Sequence, residues 1–451
     1  MLQFDCVGFG FHFSMDGQSS SRGKGFVNAR AGHRARSHHS AHADGGLDAA
    51  PAIEAHPLVP QGAAEVIADD AALGELIAHL RAAGQFAYDS EFIGELTYFP
   101  KLCLIQVAST SRIGLIDPLA ELDLTPFWDL LADSAVEKIV HAGQQDIEPV
   151  IRNLGRPAKN FFDAQVAAGL AGLPYPLSLS KLVVATTGVK LGKGLTFTHW
   201  DQRPLSAIQL RYAADDVRYL PRVRAELGDR LDRLGHFEWA KEECESLCDT
   251  TLFRFDPQTQ YLRVRGASSL QPRNLAVLRE LTAWRDEAAR SEDVPPRTFL
   301  RDEVLLDLAR NPVKSVDRLA KIRGLPRPVE STHGSAIVEA TARAFAVPTD
   351  GLPAPKEPDA TAEEKFRAEG LWALAQALCA GQSMDPALVA SRQEIGELAR
   401  ILFNEPTRED HSLLQGWRRQ ALGHPLREII AGRSSPRLAW SAGNLSIALT
   451  S

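Results

Sequence analysis

The strand signals of this chain are concentrated between Glu65 and His141, and beyond Phe237 they become sparse. Short β-type runs at Glu65–Ala68, Phe86–Phe92, Leu102–Ala108, Ile113–Ile116 and Lys138–His141 are interrupted by a helical pattern at Asp70–Ala83 and a shorter one at Phe127–Leu131. Helical periods then take over near Asp146–Asn153, Ala164–Gly172 and Ser178–Thr187, with a long one from Ser206 to about Leu234. Strands early and helices late specify an α/β domain. Further helical patterns at Asn274–Ser291, Asp302–Ala309 and Val316–Ile322 end in the Pro-rich, acidic stretch Pro348–Asp359, which reads as a linker. A last helical segment runs from Thr361 to about Ala431 with similar texture. The chain of 451 residues therefore divides into a tail (1–59), an α/β domain (60–235), a helical connector (236–268), a helical domain (269–347), a linker (348–360) and a second helical module (361–451).

The tail, with its Ser19-Ser20-Ser21 run, scattered Arg and six histidines, has little apolar periodicity and is expected to be disordered. Net charge is −7, so contact with nucleic acid must come from local basic patches. Five scattered cysteines make no disulfide framework, which favours a reducing compartment. The most apolar stretch, Val166–Ala185, carries Pro174, Pro176 and Lys181, so no membrane span is expected and the reading is cytoplasmic.

The strand Phe86-Ala87-Tyr88-Asp89-Ser90-Glu91-Phe92 carries two acids at i and i+2, which a strand directs to one face. Two carboxylates so close repel unless a cation lies between them. Asp146 opens the helix after the strand Lys138–His141, and Tyr212 and Asp216, four apart, share one helix face. Asp215, about a quarter turn away, is expected to be solvated. Hard oxygen ligands without clustered Cys or His suit Mg²⁺ or Mn²⁺. Two such ions serve in-line displacement at phosphorus.

At these residues the sequence resembles the DEDD superfamily of 3′–5′ exonucleases, in its tyrosine-bearing subgroup, and most closely the ribonuclease D branch. The likeness extends through Thr97–Gln106, Leu115–Leu119, Phe162–Gln165, Trp200–Leu205 and Tyr212–Leu220, covering about 62–235. It implies a ribonuclease-H-like mixed sheet, with Asp89, Glu91, Asp146 and Asp216 as metal ligands for two divalent ions, Mg²⁺ or Mn²⁺. Tyr212 takes the subgroup's tyrosine position, where it orients the attacking water. The implied reaction is release of 5′-mononucleotides from RNA 3′ ends, with transfer RNA precursors as expected substrates. A DNA-directed exonuclease and a catalytically silent nucleic-acid-binding protein are the alternatives, and the complete acid set weighs against the second. At Gly192 and His199 the chain departs from residues that many ribonuclease D sequences carry.

The segments Leu275–Arg285, Val294-Pro295-Pro296, Leu300–Ala309 and Leu319–Gly324 resemble the HRDC-type helical domain shared by RecQ-type helicases and ribonuclease D, and 361–451 is read as a second copy. Between Arg297 and Arg327 stand eight bases and four acids, a local charge of +4 suited to phosphates. All candidate ligands precede Leu220, so catalysis and RNA holding are expected to separate, with a chain ending near residue 268 still folding. Asp163 reads as a helix cap, Asp117 as a turn residue, His141 as a histidine hydrogen-bonded beneath the site, and Cys244 and Cys248 as ordinary helix cysteines. Oligomeric state is not legible.

Overall fold

The computed structural model describes residues 53–192, 198–354, 360–441 and 444–450. Most of the tail, residues 1–52, and residues 193–197 of the Lys190–Trp200 loop lie outside the described residues. The end of the tail departs from its expectation. Val59 is buried in the core of the α/β domain and Glu54 pairs with Arg222, so the ordered body begins before residue 60.

Six strands form one mixed sheet: β1 (Glu65–Ile67), β2 (Gln85–Ile93), β3 (Lys101–Ala108), β4 (Ile113–Ile116), β5 (Glu137–Val140) and β6 (Phe161–Asp163), in the order β1-β4-β3-β2-β5-β6. The β2, β3 and β4 strands are antiparallel neighbours, whereas β1 on β4 and β5 and β6 beyond β2 are parallel. Helix α1 (Asp70–Ala83) starts at Asp69, whose carboxylate accepts from the Ala72 N–H, and stops at Gly84 in the left-handed region. With α2 (Thr125–Leu131) and α3 (Gln144–Leu154) it covers one sheet face, packing on Phe86, Tyr88, Ile105 and Val107. The other face carries α4 (Ala164–Leu170), α5 (Leu179–Thr187), α6 (Ala207–Arg218) and α7 (Leu220–Leu234), followed by α8 (Phe237–Ser246). The long helical pattern from Ser206 is thus two helices, meeting at Tyr219 with Pro221 in the first turn of α7, where its missing N–H costs nothing.

The HRDC-like domain has its own core, built from α9 (Pro272–Ser291), α10 (Pro296–Phe299), α11 (Asp302–Arg310) and α12 (Arg327–Ala346) around Leu278, Leu281, Leu305 and Ile337. It meets the α/β domain at the β2–β3 connection. The Tyr98 hydroxyl donates to Asp286 at 2.8 Å and accepts from Arg290 at 3.1 Å, and Asp293 accepts from the Tyr98 N–H at 3.1 Å.

The C-terminal module contains α13 (Ala362–Gly381), α14 (Pro386–Val389), α15 (Arg392–Asn404), α16 (Gly416–Arg418) and α17 (His424–Ile430). Its helices end there, as the helical pattern to about Ala431 predicts, and the final residues of the helical module assigned to 361–451 form instead an antiparallel hairpin of β7 (Ser435–Ser441) and β8 (Asn444–Thr450). Ile447 and Leu449 of β8 pack onto the core beside α13.

The module also folds back on the α/β domain, and the two share one apolar core. Leu388 lies against Gly169 of α4 so closely that a Cβ there would meet its Cδ2 at 2.7 Å. Asp385 donates its N–H to the Gly169 carbonyl and accepts from the Tyr175 N–H. Trp417 stacks on Trp239, donates its indole N–H to Glu243 at 2.8 Å, and is flanked by Arg418 on the same carboxylate. A chain ending near residue 268 would expose this face to water, which weighs against the expectation that such a chain folds.

Candidate active site

The strand β2 presents Asp89 and Glu91 to the α6 face, while Tyr88 and Ser90 point the opposite way. A register irregularity between Glu91 and Phe92 bends the strand where the second acid stands. Helix α6 opens with a reciprocal cap: Ser206 accepts from the Gln209 N–H, and the Gln209 side chain accepts from the Ser206 N–H. One turn later it delivers Tyr212, then Asp216. Carboxylate oxygens of Asp89, Glu91 and Asp216 all lie within 4.8 Å of one another.

Asp146, from α3, is not one of the three carboxylates that meet there, although it feels the charge of Asp89. It is buried, its carboxylate accepts from the Ser90 hydroxyl, and the Tyr88 hydroxyl donates to its backbone carbonyl at 2.9 Å. The turn before it needs a glycine: a Cβ on Gly143 would meet Val140 at 2.6 Å. Asp163 accepts from the Ala142 and Gly143 N–H groups at 3.1 and 3.0 Å. It also caps α4 through Gln165, so one carboxylate fixes both the cap and the turn.

Electrostatically the cluster is frustrated without a cation. Burial, then the Asp89 charge, pushes Glu91 up to about 8, and burial with the charges of Asp89 and Glu91 pushes Asp216 up to about 9. Burial raises Asp89 to about 6, and burial followed by Asp89 raises Asp146 well above the carboxylate range. An all-oxygen donor set under mutual repulsion fits a hard divalent cation. The Tyr212 phenol is driven upward by burial and by Asp216, Glu91 and Asp89, so it keeps its proton and is hydrogen-bonded to Asp216.

One expectation is corrected. Asp215 is not solvated: Arg211 and Arg218 flank it, and Arg218, buried, also donates to the Pro60 carbonyl at 2.5 Å. The cause is tertiary, because residues 60–62 close over this helix face. His141 has no hydrogen bond to Nδ1 among the described residues, although burial lowers its pKa. Asp117 does cap the turn at Leu119, and it also grips Arg203 through both carboxylate oxygens at 2.6 Å. Arg203 further donates to the Trp200 and Cys103 carbonyls at 2.7 Å, tying the segment that leads into α6 to the sheet. This clamp is a positioning element that the sequence pattern does not announce. Its two halves, an Arg within Trp200–Leu205 and an Asp–Pro within Leu115–Leu119, lie far apart in the chain.

On the HRDC-like domain Arg297 pairs with Asp302. Arg301, Arg310, Lys314, Arg318, Lys321, Arg323 and Arg327 are exposed and pair with no carboxylate among the described residues.

Residues 64–232 match a 3′–5′ exonuclease family model and residues 274–341 an HRDC domain model. Ribonuclease D of Gluconacetobacter diazotrophicus is 38% identical over 361 residues, 79% of this chain and 90% of that protein. Ribonuclease D of Sphingobium indicum is 32% identical over 403 residues, 88% of this chain and 99% of that protein. Among solved structures, Escherichia coli RNase D, described as an exoribonuclease involved in structured RNA processing, superimposes with a TM-score of 0.72. It is 28% identical, over 82% of this chain and 99% of that one.

Proposed function

Since the chain belongs to the ribonuclease D family and is a divalent-metal-dependent 3′–5′ exoribonuclease, we propose that it trims the 3′ ends of structured RNAs such as transfer RNA precursors. We assign Asp89, Glu91, Asp146 and Asp216 as the holders of two ions, Mg²⁺ or Mn²⁺, and Tyr212 as the group that orients water. The observation that carries this reading is the trio of carboxylates within 4.8 Å, each raised by burial.

When bound, such ions supply charge neutralisation at the scissile phosphate and a more acidic attacking water. The chain's own residues do the rest. Asp89, Glu91 and Asp216 meet from two elements, so the site forms only when α6 is seated on β2. Tyr212, held protonated, is a poor base and a good donor, which suits it to fixing the lone pair of water in line with phosphorus. Water adds to phosphorus, the bond to the 3′ oxygen of the preceding nucleotide breaks, and that oxygen takes a proton, leaving a 5′-mononucleotide and a shortened RNA. Seven exposed bases on the HRDC-like domain fit phosphates of the upstream RNA without reading bases.

The test is a degradation assay on matched RNA and DNA oligonucleotides and a transfer RNA precursor, with Mg²⁺, Mn²⁺ or chelator. Metal-dependent release of 5′-mononucleotides from RNA, faster than from DNA and extending to the precursor 3′ tail, is the expected result. An untouched precursor tail beside degraded linear RNA would refute the substrate assignment.

A further inference from the structure

We propose that Gln106 is a positioning residue for the metal site, its side-chain amide holding the Asp89 carboxylate in the orientation that receives the cation. The inference rests on the acid cluster being a cation site and extends that site to a group outside the cluster.

After Lys101 at its start, the strand β3 is apolar except for this residue: Leu102, Cys103, Leu104 and Ile105 precede it and Val107 and Ala108 follow. Gln106 is 0% exposed, and among the described residues neither its Oε1 nor its Nε2 has a hydrogen-bond partner. A buried primary amide without partners is unfavourable, and an aliphatic side chain of similar size would pack there without that penalty. Folding alone therefore gives no reason for Gln at this place. An orphaned buried polar group calls for a role in which it acquires a partner.

Register identifies that partner. Gln106 lies directly opposite Asp89 in the antiparallel β2–β3 ladder, and opposite Leu115 in the β3–β4 ladder. Directly opposed residues share a sheet face with Cβ atoms about 4.5–5.5 Å apart, so a glutamine side chain spans the gap to the neighbouring carboxylate. On its other side Gln106 faces Leu115 of β4, which offers no hydrogen bond, and α6 packs above this part of the strand through Ala213. Asp89, once ionised by a bound cation, is acceptor-only, and the Gln106 amide has two N–H groups to give. A donor to an anionic oxygen makes a stronger bond than one to a neutral group, so the contact holds the carboxylate firmly in one orientation. One carboxylate oxygen is then occupied by Gln106 and the other is directed to the ion.

The test compares wild type with Gln106→Leu and the nearly isosteric Gln106→Met in three measurements. These are Mn²⁺ binding by calorimetry without RNA, melting temperature in EDTA, and kcat and KM on an RNA oligonucleotide at limiting and saturating Mn²⁺. Mn²⁺ affinity is expected to fall about 10–100-fold, the usual effect of losing a group that orients a metal ligand. Melting in EDTA should be at or above wild type, KM for RNA unchanged, and the rate lost at limiting Mn²⁺ recovered in excess. A purely structural residue would do the reverse. Unchanged Mn²⁺ affinity in both variants overturns the proposal, as does a clear drop in EDTA melting temperature or failure of both to fold. Absence of Mn²⁺ binding in wild type is a separate result, which overturns the metal-site reading itself and this inference with it.

Discussion

Replacing Asp216 with Asn is expected to stabilise the cation-free protein while abolishing exonuclease activity. Burial and the charges of Asp89 and Glu91 hold the Asp216 carboxyl at about 9 against an ordinary value of 3.8. At pH 7 such a group is protonated in the folded state and ionised in the unfolded one, an imbalance with a ceiling of about 4 kcal/mol at 1.4 kcal/mol per unit. Asp216 retains some exposure, and solvent screening reduces the recoverable part to about 1–2 kcal/mol. That corresponds to a rise of roughly 2–8 °C in melting temperature. The sign follows from a folded pKa above the unfolded one. Stability from this group is full below about pH 4 and is lost as pH rises toward 9, so the gap between variant and wild type should open across that window. Asn keeps an oxygen for the Tyr212 hydrogen bond, which isolates the charge. Thermal melts in EDTA from pH 4.5 to 9, run beside nucleotide release in Mg²⁺, provide the assay. A variant that melts below wild type at pH 8, a gap that does not change with pH, or more than about a tenth of wild-type turnover would refute the reasoning.

Adding Mg²⁺ or Mn²⁺ should raise the wild-type melting temperature more at pH 8.5 than at pH 5.5, because Glu91, at about 8, and Asp216 must lose protons to hold a cation. Equal shifts at both values would contradict the cluster electrostatics. Tyr212→Phe should slow single-turnover cleavage on the order of 10²-fold without changing cation affinity; an unchanged rate would make it a packing residue. Leu388→Ala, at the joint between α14 and α4, should cost about 2–5 kcal/mol in a denaturant melt even though it lies in the C-terminal module, and a value near zero would separate the two bodies. Changing Arg318, Lys321 and Arg323 together to Gln should flatten the salt dependence of RNA binding by roughly 0.7 for each phosphate no longer neutralised. Parallel plots for variant and parent would remove these bases from the RNA path.

What local pattern encodes is readable in advance. Asp89 and Glu91 stand out because a strand alternates faces, and Tyr212 with Asp216 because four residues make about one helical turn. The Ser206 and Gln209 spacing spells the cap that starts that helix. What depends on distant chain is not readable. The approach of Asp146 to Ser90 joins residues 56 apart, and the Arg203 clamp joins segments 86 apart. Asp215 looks solvated from sequence because nothing within its own helix announces residues 60–62 lying across it. The docking of Trp417 on Glu243 spans 174 residues, and neither side chain's own helix shows that it is an interface. Gln106 falls within a family-like strand segment, yet only the ladder register reveals which side chain it opposes.

The shared core also sets an order of events during synthesis. Chains emerge from the ribosome N-terminus first at about 5–20 residues per second. The six sheet strands are complete once Asp163 has appeared, but Gly169 of α4 waits 219 residues for Leu388 to cover it, about 10–40 s at those speeds. Meanwhile the HRDC-like domain, which closes on its own core, can finish folding in between. Until α14 arrives, the α/β domain carries an apolar face open to water, the kind of surface that invites aggregation. Termination before α14 leaves that face uncovered, so the core of the domain that holds the acids is completed by nearly the last helices to be made.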